Sequence, residues 1–136
     1  MSNLPPPIPM KEPSKKLLEK DVEATVVRYA KSRGFWCKKF LSPNTRAAPD
    51  RIFKIRGLDF FFVEFKRPGK AAKFPSDEHE RAQLREHKRI REAGGVVYLV
   101  DDIVQGKNLI DLILANANRD FGSRRWERKD TDDTTA

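Results

Sequence analysis

A chain of 136 residues with 38% apolar content can bury one modest core and no second, so a single domain is expected. Lys and Arg outnumber Asp and Glu by 28 to 20, a net charge of +8, which favours polyanionic partners, nucleic acid above all, although a merely soluble basic protein would carry the same balance. The one cysteine, Cys37, excludes an internal disulfide, and two histidines cannot build a Cys/His zinc cluster. No run approaches about 18 consecutive apolar residues and the N-terminus has no apolar signal core, so a soluble, intracellular, cytoplasmic protein is expected.

Residues 1–14 hold five of the nine prolines and no apolar period, which predicts a flexible leader. A first helix is expected from Ser14 as N-cap to Gly34, with Leu18, Val22, Val26 and Tyr29 as its stripe and Val27 and Ala30 beside it. On the helical wheel Glu19 and Glu23 fall inside that apolar arc. A buried carboxylate there needs a partner, since burying it alone costs several kcal/mol. Lys20 or Lys31 could supply one at the edge of the arc.

Residues 35–41 alternate as a first strand, with Phe35, Cys37 and Lys39 on one face and Trp36, Lys38 and Phe40 on the other. The following loop, 42–48, carries Ser42, Asn44 and Arg46, which could grip a phosphate or simply be solvated. Two apolar-rich runs, 52–55 and 60–65, then flank Arg56-Gly57-Leu58-Asp59, the pattern of an antiparallel hairpin turning at Gly57. Folding about that turn brings Asp50 within about a residue of Glu64. Strand alternation gives Glu64 and Lys66 one face and Val63 and Phe65 the other. Two carboxylates and an ammonium thus converge at one end of the hairpin. Such carboxylates repel, and a divalent cation is the usual remedy.

Beyond the hairpin, Arg67, Lys70 and Lys73 lie on a second basic loop, further candidates for nucleic-acid contact. A second helix is expected over 76–93, with Ser76 as N-cap and Gly94-Gly95 as its stop; its inner stripe is Gln83, His87, Ile90 and Gly94. His87 reads as a structural histidine, since no second histidine stands at metal-ligand spacing. Residues 96–100 are wholly apolar, as in a strand buried on both faces. Asp101 or Asp102 should cap a third helix over 103–116, with Gly106 weakening its first turn so that it could begin near Lys107. The tail from Arg119 is charged and predicted mobile, with Trp126 as its only large anchor. The fold expected is an α/β sandwich on a small mixed sheet, α-β-β-β-α-β with an added C-terminal helix: leader 1–14, folded domain 15–118, tail 119–136.

Pro49-Asp50 followed by Glu64-Phe65-Lys66 resembles the PD-(D/E)xK nuclease signature. With Glu19 and Glu23 in the opening helix, Arg33-Gly34-Phe35 before the first strand, Glu64-Phe65-Lys66-Arg67-Pro68-Gly69, and Gln83 with His87 in the second helix, the chain more closely resembles the VRR-NUC branch over about residues 17–115. That branch includes small phage nucleases and the catalytic domain of the Fanconi-associated nuclease. In the related archaeal Holliday-junction resolvases the helix-one carboxylate lies eleven residues before a Gly-Phe pair; that spacing selects Glu23, with Glu19 as the alternate. The resemblance implies Mg²⁺ or Mn²⁺ held by Asp50, Glu64 and the Phe65 carbonyl, with Glu23 contributing directly or through water. Lys66 would stabilise developing negative charge and Gln83 would hold substrate or a metal-bound water. The function it implies is a DNA endonuclease hydrolysing phosphodiesters, selective for branched or junction DNA, in a bacterial or phage-infected cell. Two rivals are a non-catalytic basic nucleic-acid-binding module, whose acidic cluster pairs with Arg51, Arg67 or Lys39, and a restriction-type enzyme reading a specific sequence. Cutting two strands symmetrically would call for a homodimer, for which apolar residues of the third helix and first strand could supply the surface.

Overall fold

The hairpin at the centre of the chain pairs Arg51 with Val63, Ile52 with Phe62 and Phe53 with Phe61. Gly57, at φ +99°, takes the left-handed conformation in the turn, and the Leu58 N–H closes on the Ile55 carbonyl at 3.2 Å. Around that hairpin the computed structural model describes residues 17–123: α1 (Glu19–Ser32), β1 (Trp36–Lys39), β2 (Arg51–Lys54), β3 (Phe61–Phe65), a single 3₁₀ turn (Ala71–Lys73), α2 (Glu78–Glu92), β4 (Val97–Val100) and α3 (Ile103–Ser123). This is the α/β architecture expected, one mixed sheet in the order β1-β2-β3-β4. The first three strands are antiparallel; β4 joins β3 in parallel, with α2 as the crossover.

Alternation divides the sheet into two chemically different faces. Cys37, Phe53, Phe61, Val63 and Phe65 point to α1 and α3, joining Val22, Val26, Ala30, Ile110 and Ile113 in the dry core. On the opposite face the register sets out three rows across β1, β2 and β3. The outermost is Trp36, Lys54 and Phe60. The middle row is Lys38, Ile52 and Phe62, and the innermost is Phe40, Asp50 and Glu64. The Phe40 N–H bonds the Asp50 carbonyl at 2.9 Å, which carries the ladder one step past β1.

Several expectations are corrected. Helix α1 has Leu18, half exposed, as its N-cap, and Asp21 reaches back to the Leu18 N–H at 2.9 Å; Ser14 and Trp126 lie outside the described residues. Asp77, not Ser76, caps α2 by accepting from the Glu80 N–H at 2.8 Å, because Ser76 is taken up by the Glu80 side chain. Strand β4 pairs with β3 alone, so Tyr98 and Leu99 stay half-buried in place of the fully enclosed strand expected. Asp102 caps α3 through the Gln105 N–H, while Asp101 binds the Ala71 N–H; α3 runs on past residue 118 to Ser123.

Gly106 does not delay α3. It is buried where α3 crosses α1, and a Cβ built there would stand 2.5 Å from a Val26 methyl and 3.1 Å from one of Val100. Glycine is required by the close approach of the two helices. Gly106→Ala gains about 1 kcal/mol of helix propensity but overpacks two β-branched neighbours, so a net loss of about 1–2 kcal/mol is expected, read as a lower urea midpoint with unchanged m.

Candidate active site

Asp50 immediately precedes β2 and Glu64 is the fourth residue of β3, so the hairpin register stands them opposite each other on the face away from α1. Asp50 is fixed from below: its Oδ2 accepts the Phe65 N–H at 2.7 Å. Glu64, 1% exposed, is fixed from α2, where the Gln83 amide donates to Oε2 at 2.9 Å. Its other oxygen, Oε1, is buried without a hydrogen-bond partner, and so is His87 Nε2, 3.8 Å away. An orphaned carboxylate oxygen inside a protein is costly, which marks this point as one that a ligand would complete.

The electrostatics agree. Burial first, then repulsion from Glu64, raises Asp50 to about 7, against the pull of the Phe65 N–H. Burial likewise raises Glu64 to about 7; Lys66 opposes this, Glu19 adds to it, and a hydrogen bond with Asp50 pulls it back down. Burial lowers His87 to about 4, helped by Arg91 and Lys66, so the imidazole is neutral near pH 7 and makes no ion pair with Glu64.

Lys66, 6% exposed, closes the cluster. Its ammonium donates to Gln83 Oε1 at 2.8 Å and stands 3.0 Å from Glu80 Oε2 and 3.6 Å from Glu64 Oε2. Lysine only donates and carboxylate only accepts, so Gln83 has one amide orientation that serves both. The inward-facing Gln83 read from the helical stripe is thus engaged through both its oxygen and its nitrogen. Its neighbour Glu80 was not singled out in the sequence, yet it is 5% exposed and accepts from both the N–H and hydroxyl of Ser76. Burial pushes Glu80 up, but the two Ser76 bonds and Lys66 outweigh it and hold its carboxyl at about 2. Extending the stripe of Gln83 and His87 back by one helical turn would have found it.

The two helix-one carboxylates part company. Glu23 is tied to the Arg51 guanidinium at 2.6 Å, on the core side of the sheet, and not to Lys20 or Lys31. Arg51 stands in the β2 row opposite Val63, which points toward α1 and explains the pairing. Glu19, at the exposed start of α1, has no such ion pair among the described residues. Its carboxyl is raised by burial and then by Asp50, lowered by Lys66, and it shares a cleft of about 660 Å³ with Lys20, Lys66, Arg67, Lys70 and Glu80.

No family model matches the chain. It is 32% identical over 83 residues to "Putative nuclease p44" of Acyrthosiphon pisum secondary endosymbiont phage 1, an alignment spanning 61% of this chain and 82% of that protein. A solved structure titled "VRR_NUC domain" superposes with a TM-score of 0.55 at 26% identity, over 68% of this chain and 94% of its own. The chain belongs to the VRR-NUC nuclease family.

In this VRR-NUC chain the loop candidates separate into two groups. Ser42 and Arg46 line a second cleft, about 240 Å³, together with Lys39, Phe40 and Asp50; Asn44 is exposed on the same loop but does not line it. Arg67 and Lys70 line the Glu19 cleft, whereas Lys73 does not. Asp50 therefore faces one cleft and Lys66 the other. Among the described residues no three His, Cys, Asp or Glu side chains already surround a common point. The VRR-NUC chain sets Asp50 and Glu64 side by side here, with Asp50 held by the Phe65 N–H. Two carboxyl groups, one with Oε1 unpartnered among the described residues, suit a hard cation that keeps several waters.

A pH dependence follows from these shifts. The folded state keeps protons on Asp50 and Glu64 up to about 7, whereas the unfolded chain loses them near 4, so stability falls as pH rises between those values. His87, protonated only below about 4 when folded, works the other way up to about pH 6.5 and cancels one carboxyl. Glu80 loses its contribution only as pH falls toward 2, outside this window. Metal-free protein should thus lose on the order of 2 kcal/mol between pH 5 and 8. Asp50→Asn should flatten most of that slope and raise the Tm at pH 8; thermal melts in chelator at the two pH values check it.

Proposed function

We propose that this VRR-NUC chain is a metal-dependent endonuclease that hydrolyses DNA phosphodiester bonds, with branched or junction DNA as its substrate. The observation that carries the reading is the carboxylate pair Asp50 and Glu64, buried side by side, with Glu64 Oε1 short of a partner among the described residues, beside a lysine fixed by three contacts. A bound Mg²⁺ or Mn²⁺ would supply Lewis-acid polarisation of the scissile phosphate and a more acidic water. Asp50, Glu64 and the Phe65 carbonyl would hold it.

The remaining work falls to the chain's own groups. Lys66 presents a full positive charge beside the carboxylate pair, where negative charge develops on the phosphate oxygens, in a setting already dry and preorganised. Gln83 keeps that ammonium and the Glu64 carboxylate in a fixed relation. Arg67 and Lys70 on one side and Arg46 on the other give the phosphodiester backbone two positive borders. For the helix-one carboxylate we favour Glu19, since Glu23 is already engaged by Arg51.

Purified protein incubated with linear duplex and with a four-way junction is expected to cut the junction faster, with Mg²⁺ or Mn²⁺ and not with chelator. Equal inertness toward both with either metal would remove the reading. Lys66→Ala should lower kcat at least about 100-fold while calorimetric metal affinity stays within a few-fold. The helix-one choice is decided by a pair of variants. Glu19→Gln should cost at least about tenfold in cleavage with little change in stability. Glu23→Gln should lose roughly 1–3 kcal/mol of stability, from its hydrogen-bonded guanidinium, with cleavage retained.

A further inference from the structure

Helix α2 packs against β4 and reaches β3 through Gln83 and His87. Over the β1–β2 half of the same face, among the described residues, no helix lies on the two outer rows, and Trp36 and Phe60 are 47% and 51% exposed. The rings are paired edge to face, Trp36 with Phe60 at 6.1 Å and Phe40 with Phe62 at 5.1 Å; Phe40 and Phe62 are half-buried, and it is the exposed parts of Trp36 and Phe60 that stay open to a stacking partner. Lys38 is exposed between the two ring pairs and is, among the described residues, the free cation of the two rows. Lys54 lies 5.9 Å over the Phe60 ring with its ammonium donating to the Ile55 and Leu58 carbonyls, so it adds positive potential from a fixed position, and neither outer row contains a carboxylate. Rows on one strand face repeat about every 6.6 Å, so the aromatic surface is about two rows long and ends at Asp50.

We infer that this open half-face is a binding platform for unpaired DNA bases, leading a single-stranded segment of the substrate toward the carboxylate pair. Aromatic rings alternating with lysines are the chemistry of single-strand grooves, in which bases stack and cations track the phosphates. Duplex bases are already stacked on each other and cannot use the rings, so the surface selects strands that a branch has released. A second copy of the chain would bury the rings as well, but it would bring a second set of lysines against the first. The inference rests on the nuclease reading for its substrate and supplies the recognition element which that reading lacks.

The test is fluorescence anisotropy in chelator with a labelled oligothymidylate and a blunt duplex of equal length at fixed salt. Trp36→Ala/Phe60→Ala is expected to weaken oligothymidylate binding at least about tenfold and duplex binding no more than about twofold. Lys38→Glu, an exposed single change that leaves the rings in place, should weaken oligothymidylate binding several-fold and serves if the double variant does not fold. Unchanged oligothymidylate affinity in both variants overturns the platform. Sedimentation in which Trp36→Ala/Phe60→Ala converts a wild-type dimer to monomer also overturns it, by giving the face to a second copy. Cleavage of junction DNA by wild-type protein with metal is scored separately: if it succeeds while the variants bind normally, only the platform fails. If wild-type protein neither binds nor cuts any DNA, the nuclease reading fails and the platform with it.

Discussion

The pairing of β2 with β3 stands Asp50 opposite Glu64, and this register decides the chemistry of both faces of the sheet. A slip of one residue would exchange them, carrying Glu64 and Lys66 into the α1–α3 core and turning Val63 and Phe65 outward. The core side resists that slip: Phe61, Val63 and Phe65 are essentially unexposed and would each forfeit roughly 1.5–3 kcal/mol of burial. Packing on the dry face thus enforces an arrangement on the other face that is unfavourable by itself, two carboxyls pushed to about 7. The hairpin concentrates negative charge because its apolar residues leave it no other register.

Helix α2 keeps that concentration from undoing the fold. Glu80 and Gln83, one helical turn apart, meet Lys66 from the same side, and Gln83 passes the contact on to Glu64. Glu80 is in turn held by Ser76 and sits in the helix's first turn, where the N-terminal dipole favours a negative charge. A buried ammonium between two carboxylates is compensated from both sides, which a single ion pair in that setting would not achieve. What stays uncompensated is local: Glu64 Oε1 and His87 Nε2, facing each other too far apart to bond.

Much of this was legible in the sequence wherever one element's period carried the information. The alternation of residues 60–65 gave the faces of β3, the Gly57 turn gave the pairing to within a residue, and the 3.6 period gave the inward Gln83 and His87. What was not legible depended on a second element. Glu23 and Glu19 sit in the same arc of one wheel, and only the position of Arg51 on β2 separates them. Ser76 and Asp77 are both good caps, and the choice turns on the Glu80 side chain four residues on. Gly106 reads as a weak helix former because propensity contains no neighbours; in the fold it is the point where α1 and α3 touch. Family resemblance pointed to Asp50, Glu64 and Lys66, but not to Glu80, which secures that lysine.

The position of the site relative to α2 has a consequence for what it can admit. Asp50 and Glu64 lie in the innermost row, at the seam between the part of the face that α2 covers and the part it leaves open. Under α2 the polar groups are dry and fixed, which strengthens every electrostatic contact there. A site wholly beneath a helix would exclude a polymer, and a site wholly in the open would lose the low dielectric that raises Asp50 and Glu64. The seam supplies both conditions at once: the loop carrying Ser42 and Arg46 borders it on the open side, and Lys66 with Arg67 and Lys70 borders it on the other. Because β1 is an edge strand, nothing among the described residues closes that open side, and a long polyanion can cross the seam without any of the described elements having to move.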